Sequence, residues 1–155
     1  MKDDVRQCWG RWIAGLGEWH LFGGITYDPR TVVARPSNAA VRRDVSRWLG
    51  YSPGHPGVFV EAAVVAIELQ GNEWPHAHPL LRLRGGLGPG AISALGQAWF
   101  QRHGWAQLER PKEARAVAEY AAKYLSKDLD RGDVIFWPRR GWLTGHQPVL
   151  GRPHG

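Results

Sequence analysis

Two strand-forming runs on either side of one turn signal constrain this chain most. Val58 to Gln70 is rich in Val, Ile and Ala, Gly71-Asn72 marks a turn, and His76 to Arg84 follows as a partner strand. The spacing therefore predicts a β-hairpin, which cannot stand alone in water and must bury a face against further elements. Strand parity says which face. Ile67 and Leu69 alternate with Glu68 and Gln70, while Ala77, Leu81 and Leu83 alternate with His76 and His78. If the apolar sets share the core, Glu68, His76 and His78 share the opposite face.

The rest of the chain supplies elements to pack on that hairpin. Asp3 to Ala14 reads as a short amphipathic helix ended by Gly15 and Gly17, and His20 to Tyr27 as a strand closed by Asp28-Pro29. From Ser37 or Asn38, either a good N-cap, Val41, Val45, Trp48 and Leu49 recur on one helical face as far as Gly50. Ala91 to His103 reads as another helix, Trp105 to Arg110 as a short strand, and Lys112 to Asp128 as an Ala-rich third core helix. The order β-α-β-β-α-β-α predicts an α+β fold of split-βαβ, RRM-like type: an antiparallel β-sheet with helices packed on one face. Residues 1–155 suffice for a single domain, with a motif core over about 20–127 and a loop-rich basic and aromatic tail over 132–155 holding at most one short strand.

Charge narrows the function classes. A formal net charge of +6 and a pI near 10.0 favour a polyanionic partner, most simply nucleic acid. Sixteen of the twenty cations are Arg, which grips phosphate in a planar fork, and nine Trp offer bulk that for most of them fills a core, or faces on which unpaired bases stack. The lone Cys8 points to a reducing interior, and the charged opening Met1 to Arg6, with no apolar run after it, predicts no export signal. The most apolar stretch, Val58 to Leu69, carries Glu61 and Glu68 and falls short of the roughly 20 residues of a membrane helix. Gly85 to Gly90 lacks the Lys-Ser/Thr pair of a nucleotide-binding loop and reads as a flexible connection.

Two constellations carry chemistry. His76-Ala77-His78 puts two imidazoles on one side of a strand, and with Glu68 across the hairpin they form an open donor set for a divalent ion; an exposed His pair at a strand end would read the same way. His-x-His is expected about 0.3 times by chance in such a chain, so the spacing alone decides nothing. Tyr120-Ala-Ala-Lys123-Tyr124-Leu-Ser-Lys127 is far rarer, expected roughly 0.003 times, and a helix gathers all four polar side chains near one face. Amphipathic packing also accommodates it. A phenol is a competent nucleophile on phosphorus, and a neighbouring ammonium favours the phenolate and binds phosphate.

Together these residues resemble the HUH endonuclease superfamily, in particular its rolling-circle replication initiator branch. Three motifs stand in that family's order: Leu21-Phe-Gly-Gly-Ile-Thr26, Trp74-Pro-His76-Ala-His78-Pro-Leu-Leu81, and Glu119-Tyr120-Ala-Ala-Lys123-Tyr124-Leu-Ser-Lys127. The resemblance implies Mg²⁺ or Mn²⁺ on His76, His78 and Glu68, and a tyrosine nucleophile followed after two residues by Lys. Both Tyr120 and Tyr124 meet that spacing, as in two-tyrosine members similar to the phage A-protein type. Single-tyrosine initiators commonly have Glu at the position of Tyr120, which makes Tyr124 with Lys127 the primary pair. Gly23 and Gly24 depart from the bulkier residues usual before the first-motif Thr.

The resemblance implies site-specific nicking of a single-stranded, hairpin-forming origin through a 5′-phosphotyrosine, by a monomer in the cytoplasm of a prokaryotic cell on plasmid or phage DNA. No Walker motif follows the nuclease motifs, so either unwinding falls to a separate helicase or the chain is a trimmed or minimal nuclease domain; no membrane partner is expected. A single-strand DNA transposase of the same superfamily is the near alternative, and a non-catalytic RRM-like binder of single-stranded nucleic acid the distant one. In the tail, Arg139, Arg140 and Trp142 either line the DNA path or simply cover a sheet edge.

Overall fold

The computed structural model describes residues 2–50, 58–68, 74–125 and 133–138. They form α1 (Lys2–Ala14), β1 (Leu21–Tyr27), α2 (Asn38–Gly50), β2 (Val60–Glu68), β3 (His76–Leu83), α3 (Ala91–Phe100), β4 (Gly104–Glu109), α4 (Ala114–Leu125) and β5 (Asp133–Trp137). The turn at Gly71-Asn72 and the extension of α4 toward Asp128 lie outside the described residues. No helix among the described residues is long and apolar enough to cross a membrane.

The five strands form one sheet in the order β4-β1-β3-β2-β5, every neighbouring pair antiparallel. β3 lies between β1 and β2, and β1 lies between β3 and β4, so α2 and α3 are the two crossovers of a split-βαβ unit. Ser37 starts α2 by accepting the Ala40 amide on its side chain at 3.1 Å. Val41, Val45, Trp48 and Leu49 of α2, with Ala91, Leu95 and Trp99 of α3, are then buried against Leu21, Ile25, Ile67, Ala77 and Leu81 of the sheet. The α+β antiparallel sheet and this helical layer agree with the reading of the sequence.

A second helical layer adds to it. Val64, Ala66 and Leu80 on the other face are also buried, beneath Ile13 of α1 and Val117 and Ala121 of α4. Hairpin parity alone cannot reveal this, because β2 is apolar on both faces and only a second layer keeps both dry. α1 and α4 approach closely at Gly10, where an added Cβ would stand 2.5 Å from the Ala118 carbonyl oxygen and 3.2 Å from the Ala122 methyl. Gly10→Ala would gain about 1 kcal/mol of helix propensity but overpack this crossing by about 1–3 kcal/mol. A net loss is expected, read as a lower denaturant midpoint at unchanged m; a raised midpoint would contradict the packing account.

The α2/α3 side also holds a titrating group. His103 Nδ1 sits 3.8 Å from Asp44 Oδ2 and its ring lies 4.3 Å from that of Trp99. Burial pushes its pKa down; Asp44 opposes this, and Arg102 and Arg43 reinforce it. A histidine with a lowered folded pKa is protonated more readily in the unfolded chain, so its stabilising effect is complete above about pH 6.5 and fades below it. The urea midpoint is expected to be lower at about pH 5.5 than at about pH 7.5, and His103→Gln should narrow that gap. An unchanged gap in His103→Gln would contradict the assignment. His78, lowered mainly by burial as well, accounts for part of the same dependence.

Candidate active site

Register determines which side chains meet on the α1/α4 face. Thr26 pairs with His76, and His76 with Glu68, so these three form one row across β1, β3 and β2. His78 is two residues on, opposite Ala66, and faces the same way. Glu68 makes its close contact diagonally: its Oε2 stands 3.4 Å from His78 Nε2, with both side chains mostly covered. Burial lowers the His78 pKa while Glu68 pulls it up, and the balance keeps the imidazole neutral, the form a metal ion binds.

Helix α4 brings its tyrosines onto this pair. The Tyr124 ring stacks on His78 with centroids 3.8 Å apart and planes inclined by 20°. Tyr120, one turn earlier, has its ring 4.8 Å from Tyr124 and 4.8 Å from Phe22, and its hydroxyl donates to the Gly23 carbonyl. Burial pushes the Tyr120 phenol well above the ordinary tyrosine range, and the nearby Tyr124, Glu109 and Glu68 act in the same direction. Exposed Lys123 holds its Nζ 5.0 Å from the centre of the Tyr124 ring.

These side chains line an open cleft of about 540 Å³ bounded by β1, β3, β4 and α4. Gly23 and Gly24 form part of its wall for different reasons. A Cβ on Gly23 would lie 1.8 Å from the Gln107 carbonyl oxygen, so glycine is what lets β4 pair closely there. At Gly24 a Cβ would meet nothing within 4 Å, and its absence widens the cleft. Glycine is thus a packing requirement at position 23 and an opening at position 24.

His78 and Glu68 fit a metal ion, since 3.4 Å is close to the separation of two neighbouring ligands on one divalent cation, and one donor is a neutral imidazole and the other a carboxylate. His76 shares the face and stands opposite Glu68 in register, but among the described residues no three His, Cys, Asp or Glu side chains are grouped closely enough to hold an ion as they are placed. Of the sequence-derived set, then, Glu68, His78, Tyr120, Tyr124 and Lys123 come together around the cleft, with His76 beside it. Lys127, Arg139, Arg140 and Trp142 lie outside the described residues. The sequence reading passed over Phe22, Gln107 and Glu109, which also line the cleft. Alternation of Gln107 and Glu109 with Ala106 and Leu108 along β4 was the available signal for the latter two.

Compared with models of protein families, with curated proteins and with solved structures, the chain matches none.

Proposed function

We propose that this chain is a metal-dependent, site-specific single-stranded DNA endonuclease and strand-transferase of HUH type that initiates rolling-circle replication. The observation that carries this reading is the stack of Tyr124 on His78, with His78 in turn 3.4 Å from Glu68: a phenol beside an imidazole–carboxylate pair in an open cleft. A buried aromatic core does not need a carboxylate there, and a plain metal site does not need two tyrosines. An RRM-like module reads bases on a bare sheet face, whereas α1 and α4 cover much of this one, which favours the nuclease over the binding module.

Tyr124 Oη attacks the scissile phosphorus. The new phosphorus–Oη ester replaces the phosphorus–O3′ ester, the phenol proton leaves to solvent, and the departing 3′ oxygen takes up a proton. One ester is exchanged for another, so the bond energy is kept in a 5′-phosphotyrosine and the free 3′-OH can prime synthesis. Glu68, His76 and His78 would hold Mg²⁺ or Mn²⁺, which supplies positive charge beside the phosphate. Lys123, with Lys127, binds the phosphate oxygens. Tyr120 performs the second transfer once its hydroxyl leaves the Gly23 carbonyl. The substrate is a hairpin-forming origin, the working form a monomer in a prokaryotic cytoplasm on plasmid or phage DNA, with a separate helicase to unwind it.

Incubation with labelled single-stranded DNA and Mn²⁺ is expected to give a protein–DNA adduct that survives a denaturing gel, with the label retained only when it lies 3′ of the nick. Free products without an adduct would overturn the tyrosine chemistry.

A further inference from the structure

We propose that Trp105 is a stacking platform for an unpaired base of the DNA strand that enters the Tyr124 cleft. The proposal rests on the nuclease reading for its substrate and adds a binding subsite outside the catalytic group.

Trp105 differs from the deeply buried tryptophans. Trp19, Trp48 and Trp99 are buried, and their indole N–H groups donate to the carbonyls of Ile13, Leu95 and Thr26. Trp105 is instead 44% exposed on β4, which leaves an indole face open to a ligand that could use it. Its place in the sheet supplies the use. Trp105 pairs with Thr26, Thr26 with His76, and His76 with Glu68, so the indole stands on the same face and in the same row as two of the candidate metal ligands. Two strand spacings separate it from His76, about 10 Å. The next residues on that face of β4 and β1 are Gln107 and Gly24, which pair with each other and line the cleft. The missing side chain at Gly24 leaves the way from Trp105 to the Tyr124–His78 stack open.

The local charge selects the occupant. Arg30 places its guanidinium 5.8 Å from the Trp105 ring centre, steadied at 3.2 Å by Asp28. Its side chain is 81% exposed, so it can meet a phosphate while the ring meets the attached base. An apolar protein partner would gain nothing from that cation. A nucleotide uses both groups, in a chain whose net charge is +6.

Fluorescence anisotropy with a labelled single-stranded DNA oligonucleotide in EDTA tests the platform without cleavage. Trp105→Ala should weaken binding on the order of tenfold at every salt concentration, with the slope of log K against log salt unchanged, and Trp105→Phe should restore most of it. Stepping one abasic site along the oligonucleotide should find a position that costs the native protein about as much as Trp105→Ala does, and costs Trp105→Ala nothing more. Native affinity in Trp105→Ala, a loss that changes the salt slope, absence of single-strand binding, or tighter binding of RNA of the same sequence would each overturn it. The two readings separate cleanly. Trp105-dependent binding without adduct formation removes the nuclease and keeps the platform; adduct formation with native affinity in Trp105→Ala does the reverse.

Discussion

Tyr124→Phe is expected to lower the rate of covalent adduct formation on the order of a thousandfold or more, while the protein folds and binds single-stranded DNA as before. The substitution removes only the hydroxyl. The ring that stacks on His78 at 3.8 Å remains, so the packing between α4 and β3 is retained. Tyr120→Phe should behave differently, because its hydroxyl is bonded to the Gly23 carbonyl and its phenol is held protonated by burial. The first nick should stay within about tenfold of native while the second strand transfer fails, and the double variant should do neither. Undiminished cleavage in all three variants would remove the tyrosines from the mechanism.

The next largest effect is expected at the donor pair. His78→Ala takes away the imidazole beside Glu68 and should weaken Mn²⁺ binding, read by calorimetry, on the order of a hundredfold, with cleavage falling in parallel. Glu68→Ala should follow closely, since removing the carboxylate leaves His78 as the sole member of the close pair. His76→Ala should cost less than either, because His76 stands on the face but outside that pair. EDTA should reproduce the loss in the native protein. Full cleavage in chelator would refute the metal assignment whatever the variants do.

How far these features could be read in advance depends on the range of the interactions behind them. The α2 face was legible because Val41, Val45, Trp48 and Leu49 repeat at the helical period and Ser37 is a local cap. The shared face of Glu68, His76 and His78 was legible because strand parity is a local property. The partner of Glu68 was not. Register sets it opposite His76, yet the close contact runs diagonally to His78, a choice made by side-chain torsions and by α4 pressing Tyr124 onto that ring. The covering of the second sheet face was likewise hidden, since it depends on Gly10 of α1 meeting Ala118 of α4, more than a hundred positions apart in the chain. Trp105 fell between the two cases. Its strand was readable, but its exposure depends on which elements pack over that end of β4, which only the packed chain decides.

Peptide mapping of the adduct tests the central claim most directly. Trypsin cuts after Arg115, Lys123 and Lys127, so Tyr120 and Tyr124 fall into separate peptides, 116–123 and 124–127. After reaction with single-stranded DNA and Mn²⁺, followed by nuclease trimming and trypsin, mass spectrometry should find the nucleotide phosphate on Tyr124 in the 124–127 peptide. A nucleotide found on neither tyrosine would contradict the account.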